Sequence, residues 1–338
     1  MHSPMFTLEV FPPKRNAPVG TIYDTLDGLE GLNPDFISVT YGHGTHSDRT
    51  ATARIAHTIS KEYGIPAVAH LTALYSDKAK IDEALDMFEE AGVSAVLALR
   101  GDYIDGEQAV GEFNHASDLV SYIRSVKPDL KVFGACYPEG HYQADTIDQD
   151  IENLKIKVDA GATHLISQLF YDNEDFYRFL DKARAAGITV PIEAGIMPVR
   201  GAKSVRRMAE RNASRIPDKL NTLLNKWGDD IQSLRTAGIL YASEQIADLV
   251  AHGVDGVHLY SMNHPATTRR IWRNTEPLFL VRKVDAYRGA AHLNASRRDV
   301  NPLAKPRVPP AADGYHERAS QPKRWKEVRY VHWCPFLR

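Results

Sequence analysis

The sequence predicts a (β/α)8 barrel, an α/β fold, with an extra helical insertion before the eighth strand and a basic C-terminal tail. Three observations lead there. Short β-branched or apolar runs alternate with longer amphipathic stretches in constant order. Eight such strands occur, the number that closes a barrel of parallel strands. Glycines at 64, 92, 161, 187 and 253 stand just ahead of a strand, where a helix would stop. An open doubly wound sheet is the competing architecture.

The strands are expected at Thr7–Phe11, Phe36–Thr40, Ala67–Leu71, Ala95–Leu99, Val132–Ala135, His164–Ser167, Val190–Glu193 and Gly256–Leu259. Between them, Ser76–Ala91 places Ile81, Leu85 and Phe88 at helical spacing, and Asp145–Ala160 does the same with Ile147, Ile151, Leu154 and Val158. Each helix could cover one face of a strand layer. Arg211–Ala237 reads as the insertion between strands seven and eight. The barrel domain is expected over residues 1–280. Residues 281–338 carry 13 basic against 5 acidic side chains, six prolines and no periodicity, which reads as a loosely ordered tail.

Composition excludes several classes of function. The chain has 338 residues, 41 Lys+Arg against 43 Asp+Glu, and a formal charge of −2. Phosphate neutralisation needs clustered cations with few acids between them, so a nucleic acid is not the expected partner. Two cysteines, Cys136 and Cys334, exclude a disulfide scaffold or a thiolate zinc cluster and fit a reducing cytoplasm. The N-terminal run carries Glu9 and lacks a basic leader and a small-residue cleavage site, so no signal peptide is expected. No apolar stretch approaches the roughly 20 residues of a membrane span.

In such barrels chemistry gathers where strands end and the following loops begin. Strand one ends LEVFPPK, and alternation turns Glu9 the same way as Thr7. A carboxylate inside a narrow barrel is costly when ionised, so its pKa should rise toward that of a general acid at neutral pH. The competing reading is a buried Glu satisfied by a Lys, an Arg or an amide. Strand two leads into Thr40, Tyr41, Gly42, His43, Gly44 and, further on, His46 and Ser47. That is half a dinucleotide fingerprint, with Ser47 in place of the third glycine. No carboxylate–histidine set completes a metal site there.

Strand four ends Arg100-Gly101-Asp102: a cation for phosphate or carbonyl oxygen, a glycine that lets a planar ring approach, and an anion that can tune a heterocycle. A structural Arg100–Asp102 ion pair is the alternative. Strand five ends with Cys136, Tyr137 and, beyond, His141; Cys136 has no evident base, so a nucleophile reading is weak. Asp150, Asn153 and Lys157 share one helix face, either reading ribose and phosphate or simply solvated. After strand six, Gln168 can donate and accept at the edge of an amide-bearing ring. Strand eight, HLYSMN, adds polar groups at the same rim.

Taken in order, LEVFPPK, SVTYGHG, AHLT, LALRGD, HASDLV, YPEGH, DIENLKIKVDAGA, QLFYD, GIMPV and HLYSMN resemble the methylenetetrahydrofolate reductase family of the single-domain bacterial type, from about Phe6 to Pro277. The resemblance implies a flavin-bearing barrel that reduces 5,10-methylenetetrahydrofolate to 5-methyltetrahydrofolate with NADH or NADPH, feeding methionine synthesis. Glu9 corresponds to the general acid that opens the folate ring to an iminium, to which reduced flavin delivers hydride. Asp102 corresponds to the aspartate beside flavin and folate. Tyr41, His43, His70, Arg100, Gly101, His115, Ala116, Tyr137, His141, Asp150, Asn153 and Lys157 fall at FAD-contact positions. Thr40 and Gln168 fall where nicotinamide or folate is touched, so Thr40 and Asp102 count with the cofactor ligands and Asp102 and Gln168 with the substrate ligands.

Three departures stand out. His43 and His46 enrich a loop that is usually more glycine-rich, Ile156 replaces an arginine that can assist phosphate binding, and Arg200–Arg211 has no aromatic residue, with Met208 as its nearest substitute. The tail is too short for the regulatory domain of eukaryotic relatives, so inhibition by S-adenosylmethionine is not expected. Two rival functions remain on the sequence alone: a flavin-independent pterin methyltransferase or lyase, and a non-catalytic folate-binding module. Self-association is left open.

Overall fold

Alternation along the first strand decides the architecture. In β1 (Met5–Val10), Phe6, Leu8 and Val10 are buried in the largest apolar cluster, while Thr7 and Glu9 turn to the other side and meet other polar groups. The remaining strands follow the same rule: β2 (Ile37–Val39), β3 (Ala67–Thr72), β4 (Ala95–Leu99), β5 (Lys131–Cys136), β6 (His164–Ser167), β7 (Ile192–Ile196) and β8 (Gly256–Tyr260). In this computed structural model, which describes residues 3–13, 20–41 and 49–279, they pair in sequence order, all parallel. β8 closes on β1 in the register Thr7↔His258 and Glu9↔Tyr260. The closed barrel replaces the open-sheet alternative.

The helices supply the outer layer: α1 (Gly20–Leu29), α2 (Arg49–His57), α3 (Lys78–Glu90), α4 (Ala116–Val126), α5 (Ile147–Asp159), α6 (Asn173–Ala185), α7 (Ala202–Arg211), α8 (Asp218–Trp227), α9 (Ile231–Ala251) and α10, residues 265–279. Their local causes are ordinary. Asp77 caps α3 by accepting from Lys80 N at 2.8 Å, and Ile81, Ala84, Leu85 and Phe88 make its buried stripe. Gly92, at φ 73°, supplies the left-handed residue that stops it. None of the helices among the described residues is long and apolar enough to cross a membrane.

Two expectations shift. The seventh strand runs Ile192–Ile196, later than Val190–Glu193: Pro191 has no N–H for the ladder, and β7 is held by β8 from Glu193↔Gly256 to Ile196↔Leu259. The insertion is narrower than 211–237. Pro217 precedes α8, and Asp230 accepts from Gln232 N and Ser233 N to start α9, so residues 231–237 are the first turns of a 21-residue helix. The 42–48 loop with His43 and His46, and the 281–338 segment, lie outside the described residues.

The lumen is layered. Phe36, Val68, Ala95, Leu97, Phe133 and Ile166 form an apolar floor. Hydroxyl, imidazole and carboxyl groups from β1, β2, β3, β6, β7 and β8 lie beside and above it. The rim loops carry the rest.

Candidate active site

Glu9 is the uppermost acid of the lumen. Its Oε2 is 3.5 Å from His70 Nε2 and 4.0 Å from His258 Nε2, and its side chain keeps only 17% exposure. Burial raises its pKa to about 7, against a smaller lowering by His258. The same burial, with the His258 charge, takes His70 down to about 3. Both are therefore neutral just below pH 7: the carboxyl holds a proton and His70 does not compete for it. His70 Nε2 is buried and has no hydrogen-bond partner among the described residues. The expected rise in Glu9 pKa is present, and no Lys, Arg or amide satisfies it among the described residues.

β8 fixes the backbone that carries Glu9. Ser261 Oγ donates to Glu9 O at 2.5 Å, and Asn263 clamps Phe11, its Nδ2 donating to Phe11 O at 2.8 Å and its Oδ1 accepting from Phe11 N at 3.1 Å. Met262 and Asn263 reach this clamp with φ of 52° and 51°, in the left-handed region that residues with a Cβ enter at a cost. Tyr260, two residues after His258 on β8, donates to Ser167 O at 2.7 Å. Gly195 leaves room for it: a Cβ there would come within 2.7 Å of the Tyr260 hydroxyl and 2.2 Å of Ser167 O.

A second group of residues meets at the β4–β5 side of the rim. Arg100 donates to Gln143 Oε1 and to Gly101 O, and its guanidinium lies 5.2 Å from the Tyr103 ring centre. It makes no ion pair with Asp102 among the described residues, which removes the structural-pair alternative. Gly101 holds φ 91°, and a Cβ would press on Thr72 at 3.3 Å. Tyr137 packs edge-on to His141 at 4.6 Å, and charges on Asp102, Asp150 and Arg100 all act on Tyr137. His141 N donates to Asp150 Oδ2 at 3.2 Å. Lys157 donates to Ala135 O at 2.6 Å, with its pKa lowered by burial against the pull of Cys136 and Asp150.

The helix spacing thus puts Asp150 and Lys157 together, while Asn153 on the same face is exposed. Gln168 accepts from Leu169 N at 2.9 Å through Oε1, which leaves its NH2 group as the donor end. Thr40 closes β2, with N donating to Val10 O and O accepting from Thr52 Oγ1. The Tyr41 ring is buried in the apolar cluster with Ala53, Leu71 and Phe113. His115 caps α4, with Asp118 accepting from His115 N, and neither His115 nor Ala116 contacts the Arg100–Lys157 group among the described residues. Burial pushes the Cys136 thiol up, away from the reactive thiolate. Met208 packs against the cluster around Leu169 and Tyr171, and Ile156 is exposed.

Sequence reasoning passed over Glu193 and His164, which face each other at 2.6 Å in the lumen. The signal was there: a charged residue inside PIEAGI and an imidazole inside THLIS fall, by strand alternation, on the inward face.

A profile of the family described as methylenetetrahydrofolate reductase matches residues 1–276. Methylenetetrahydrofolate reductase 1 of Schizosaccharomyces pombe is 38% identical over 263 residues, covering 76% of this chain and 43% of that one. The 5,10-methylenetetrahydrofolate reductase of Escherichia coli is 34% identical over 257 residues, covering 76% of this chain and 86% of that one. This chain therefore spans less than half of the fungal relative and most of the bacterial one. Among solved structures, an uncharacterised Clostridium thermocellum protein that binds two copies of 5-methyl-5,6,7,8-tetrahydrofolic acid superposes with a TM-score of 0.58 at 15% identity, over 82% of this chain and 96% of that chain. At that identity the likeness concerns the fold.

Proposed function

The chain belongs to the methylenetetrahydrofolate reductase family, and from that premise we propose that it reduces 5,10-methylenetetrahydrofolate to 5-methyltetrahydrofolate with NADH or NADPH through bound FAD, feeding methionine synthesis. The observation that carries this reading is Glu9: a lumenal carboxyl, nearly buried, with a pKa of about 7. Opening the folate ring needs a proton at neutral pH, and an ordinary carboxyl would have lost it.

The residues present fit a flavin. His70 offers a buried ring nitrogen without a hydrogen-bond partner among the described residues, Gly101 presents bare backbone at the rim, and Lys157 brings an ammonium group close to His141 and Asp150. These residues, with Thr40, Tyr41, Arg100, Asn153, His115 and Ala116, would hold FAD. When bound, the flavin supplies the hydride carrier between nicotinamide and folate.

The chain's own work lies in protons and charge. Glu9 Oε2 holds the proton that goes to the folate, and neutral His70 leaves it there. Asp102, exposed at the rim, faces where a folate cation develops and favours it. The NH2 end of Gln168 orients the pterin edge, its Oε1 being held by Leu169 N. Arg100 and Lys157 bind anionic oxygens of the cofactor, and the β8 clamp keeps Glu9 in register.

One preparation tests the proposal. The purified protein should be yellow, or become so when reconstituted with FAD, and should consume reduced nicotinamide only when methylenetetrahydrofolate or an artificial electron acceptor is supplied. A colourless protein that binds folate but no flavin would move the assignment to a flavin-independent pterin enzyme.

A further inference from the structure

Below Glu9 the lumen holds another carboxyl that the proposed chemistry leaves unused. Glu193 on β7 has no solvent exposure, and both oxygens are engaged: Oε1 with His164 Nε2 at 2.6 Å, Oε2 with the Thr7 hydroxyl. Burial alone would raise its pKa, but hydrogen bonding, led by that from His164, outweighs this and holds it well below the usual carboxylate range. An ionised carboxylate only accepts hydrogen bonds. Thr7 therefore points its single hydroxyl proton at Glu193.

That orientation passes to the next ring. Thr7 Oγ1 is 2.7 Å from His258 Nδ1 and, with its proton committed, can only accept there. Nδ1 also lies 3.7 Å from Glu193 Oε2, which favours a proton on the same nitrogen. In the neutral ring Nε2 is then a lone pair. Ser38 Oγ, 3.3 Å away, can donate to it, and Glu9 Oε2 stands 4.0 Å from it. Among the described residues, His258 is faced by Thr7 and Glu9 from β1, Ser38 from β2, His70 from β3, Glu193 from β7, Tyr260 edge-on from β8, and the Phe36 ring tilted against it.

We propose that Glu193, held by His164 and acting through Thr7, locks His258 in its Nδ1–H tautomer, so that an electron pair rather than a proton faces Glu9. Glu193 and His164 are thus positioning residues. A lone pair beside Glu9 disfavours the carboxylate and favours the acid, whereas an Nε2–H would donate to the carboxylate and stabilise it. The lower acid keeps the upper one protonated. The effect on catalysis rests on the proposed folate reduction; the tautomer does not.

The experiment is 15N spectroscopy of the histidine-labelled full-length holoenzyme at a pH where the ring is neutral, with His258 assigned by its loss in His258→Gln. The wild type should show a protonated Nδ1 and an unprotonated Nε2. In Glu193→Leu the Thr7 hydroxyl loses its charged acceptor, turns to Nδ1 at 2.7 Å rather than to the more distant Val257 O at 3.4 Å, and the tautomer reverses. Glu193→Gln, nearly isosteric, covers the case in which the leucine variant does not fold: its amide can donate to Thr7, and both tautomers should appear. A wild-type Nε2–H, or a pure Nδ1–H signal in the variants, overturns the proposal.

The kinetic arm reads the alkaline limb of methylenetetrahydrofolate reduction, which should fall by roughly one pH unit in the variants. Nicotinamide oxidation by an artificial acceptor should keep its profile. Should the wild type show no folate turnover, the proposed function fails while the tautomer result stands. An active wild type whose alkaline limb stays put despite a reversed tautomer breaks the link between His258 and Glu9.

Discussion

The carboxyl of Glu9 and the imidazole of His70 meet at 3.5 Å without forming an ion pair at neutral pH, because burial drives their pKa values apart, to about 7 and about 3. Between those values both groups are neutral. A proton donor thus sits beside a base too weak to take its proton, and the lumen's lower carboxyl, Glu193, is engaged separately by His164 at 2.6 Å.

The first prediction concerns rate against pH. Folate reduction should decline as pH rises through about 7, where Glu9 loses its proton. Glu9→Gln should lower that step by about 10²–10⁴-fold, the usual contribution of a general acid. Oxidation of the nicotinamide by FAD needs no such proton and should largely survive. Stopped-flow measurement of the two half-reactions separates them, and equal loss in both would remove the assigned role.

The same group should tax stability. Its pKa rises from 4.5 in the unfolded chain to about 7 in the fold, so below 4.5 both states hold the proton and nothing is lost. Between 4.5 and 7 the unfolded state releases it first, and the fold is penalised by an amount that levels off above 7 at no more than about 3.5 kcal/mol. Glu9→Gln should accordingly stabilise the protein at pH 8 and much less at pH 4.5. Urea midpoints at the two pH values check this.

These two predictions follow from a residue legible in the sequence, since a lone acid inside LEVF declares both its strand and its inward face. The barrel was legible for the same reason: period-two and period-3.6 patterns are local, and eight repeats of them leave little choice of closure. Strand seven was harder, because its limits depend on pairing with β8 rather than on its own composition. The Asn263–Phe11 clamp joins residues 252 apart in sequence, and nothing in either local pattern announces it. Glu193 could be placed on the inward face, but its partners Thr7 and His164 come from two other strands that only the closed register brings together.

Removal of that clamp is the third prediction. Asn263→Ala loses both hydrogen bonds to Phe11, each worth about 1 kcal/mol, and leaves an alanine at φ 51° for about 1 kcal/mol more. Destabilisation of roughly 2–3 kcal/mol is expected in urea, with a slower folate step because Glu9 lies two residues before Phe11. Asn263→Gly should recover only the backbone share. If the glycine variant matches wild type, the side-chain bonds contribute nothing.

Packing at the strand crossing gives the fourth. Gly195→Ala would put a Cβ 2.2 Å from Ser167 O and 2.7 Å from the Tyr260 hydroxyl, so β6 and β8 would have to part. The 2.7 Å bond from Tyr260 to Ser167 O breaks in the process. Overpacking of this kind costs about 1–3 kcal/mol or more. Reduced thermal stability should be accompanied by loss of folate reduction, since Tyr260 pairs in register with Glu9. A fully active, equally stable alanine variant would mean the strands shift at no cost.

The last prediction concerns Lys157 and the cofactor. Its ammonium group is drawn in to Ala135 O at 2.6 Å, and burial lowers its pKa against the opposing charges of Cys136 and Asp150, so the fold bears a desolvated cation whose only hydrogen bond among the described residues is to a neutral carbonyl. Gly134 makes the space: a Cβ there would stand 2.8 Å from Lys157 Cδ. Ile156 beside it is exposed and brings no charge. An anionic oxygen of FAD would repay that desolvation, and a charge-assisted bond contributes about 1.5–3 kcal/mol. Lys157→Met, which keeps the apolar stem, should therefore weaken FAD binding by roughly 10–100-fold. Gly134→Ala, which crowds the stem, should produce part of the same loss with the charge still present. Flavin fluorescence titration of the apoprotein measures both, and an unchanged Kd in the methionine variant would remove Lys157 from the cofactor site.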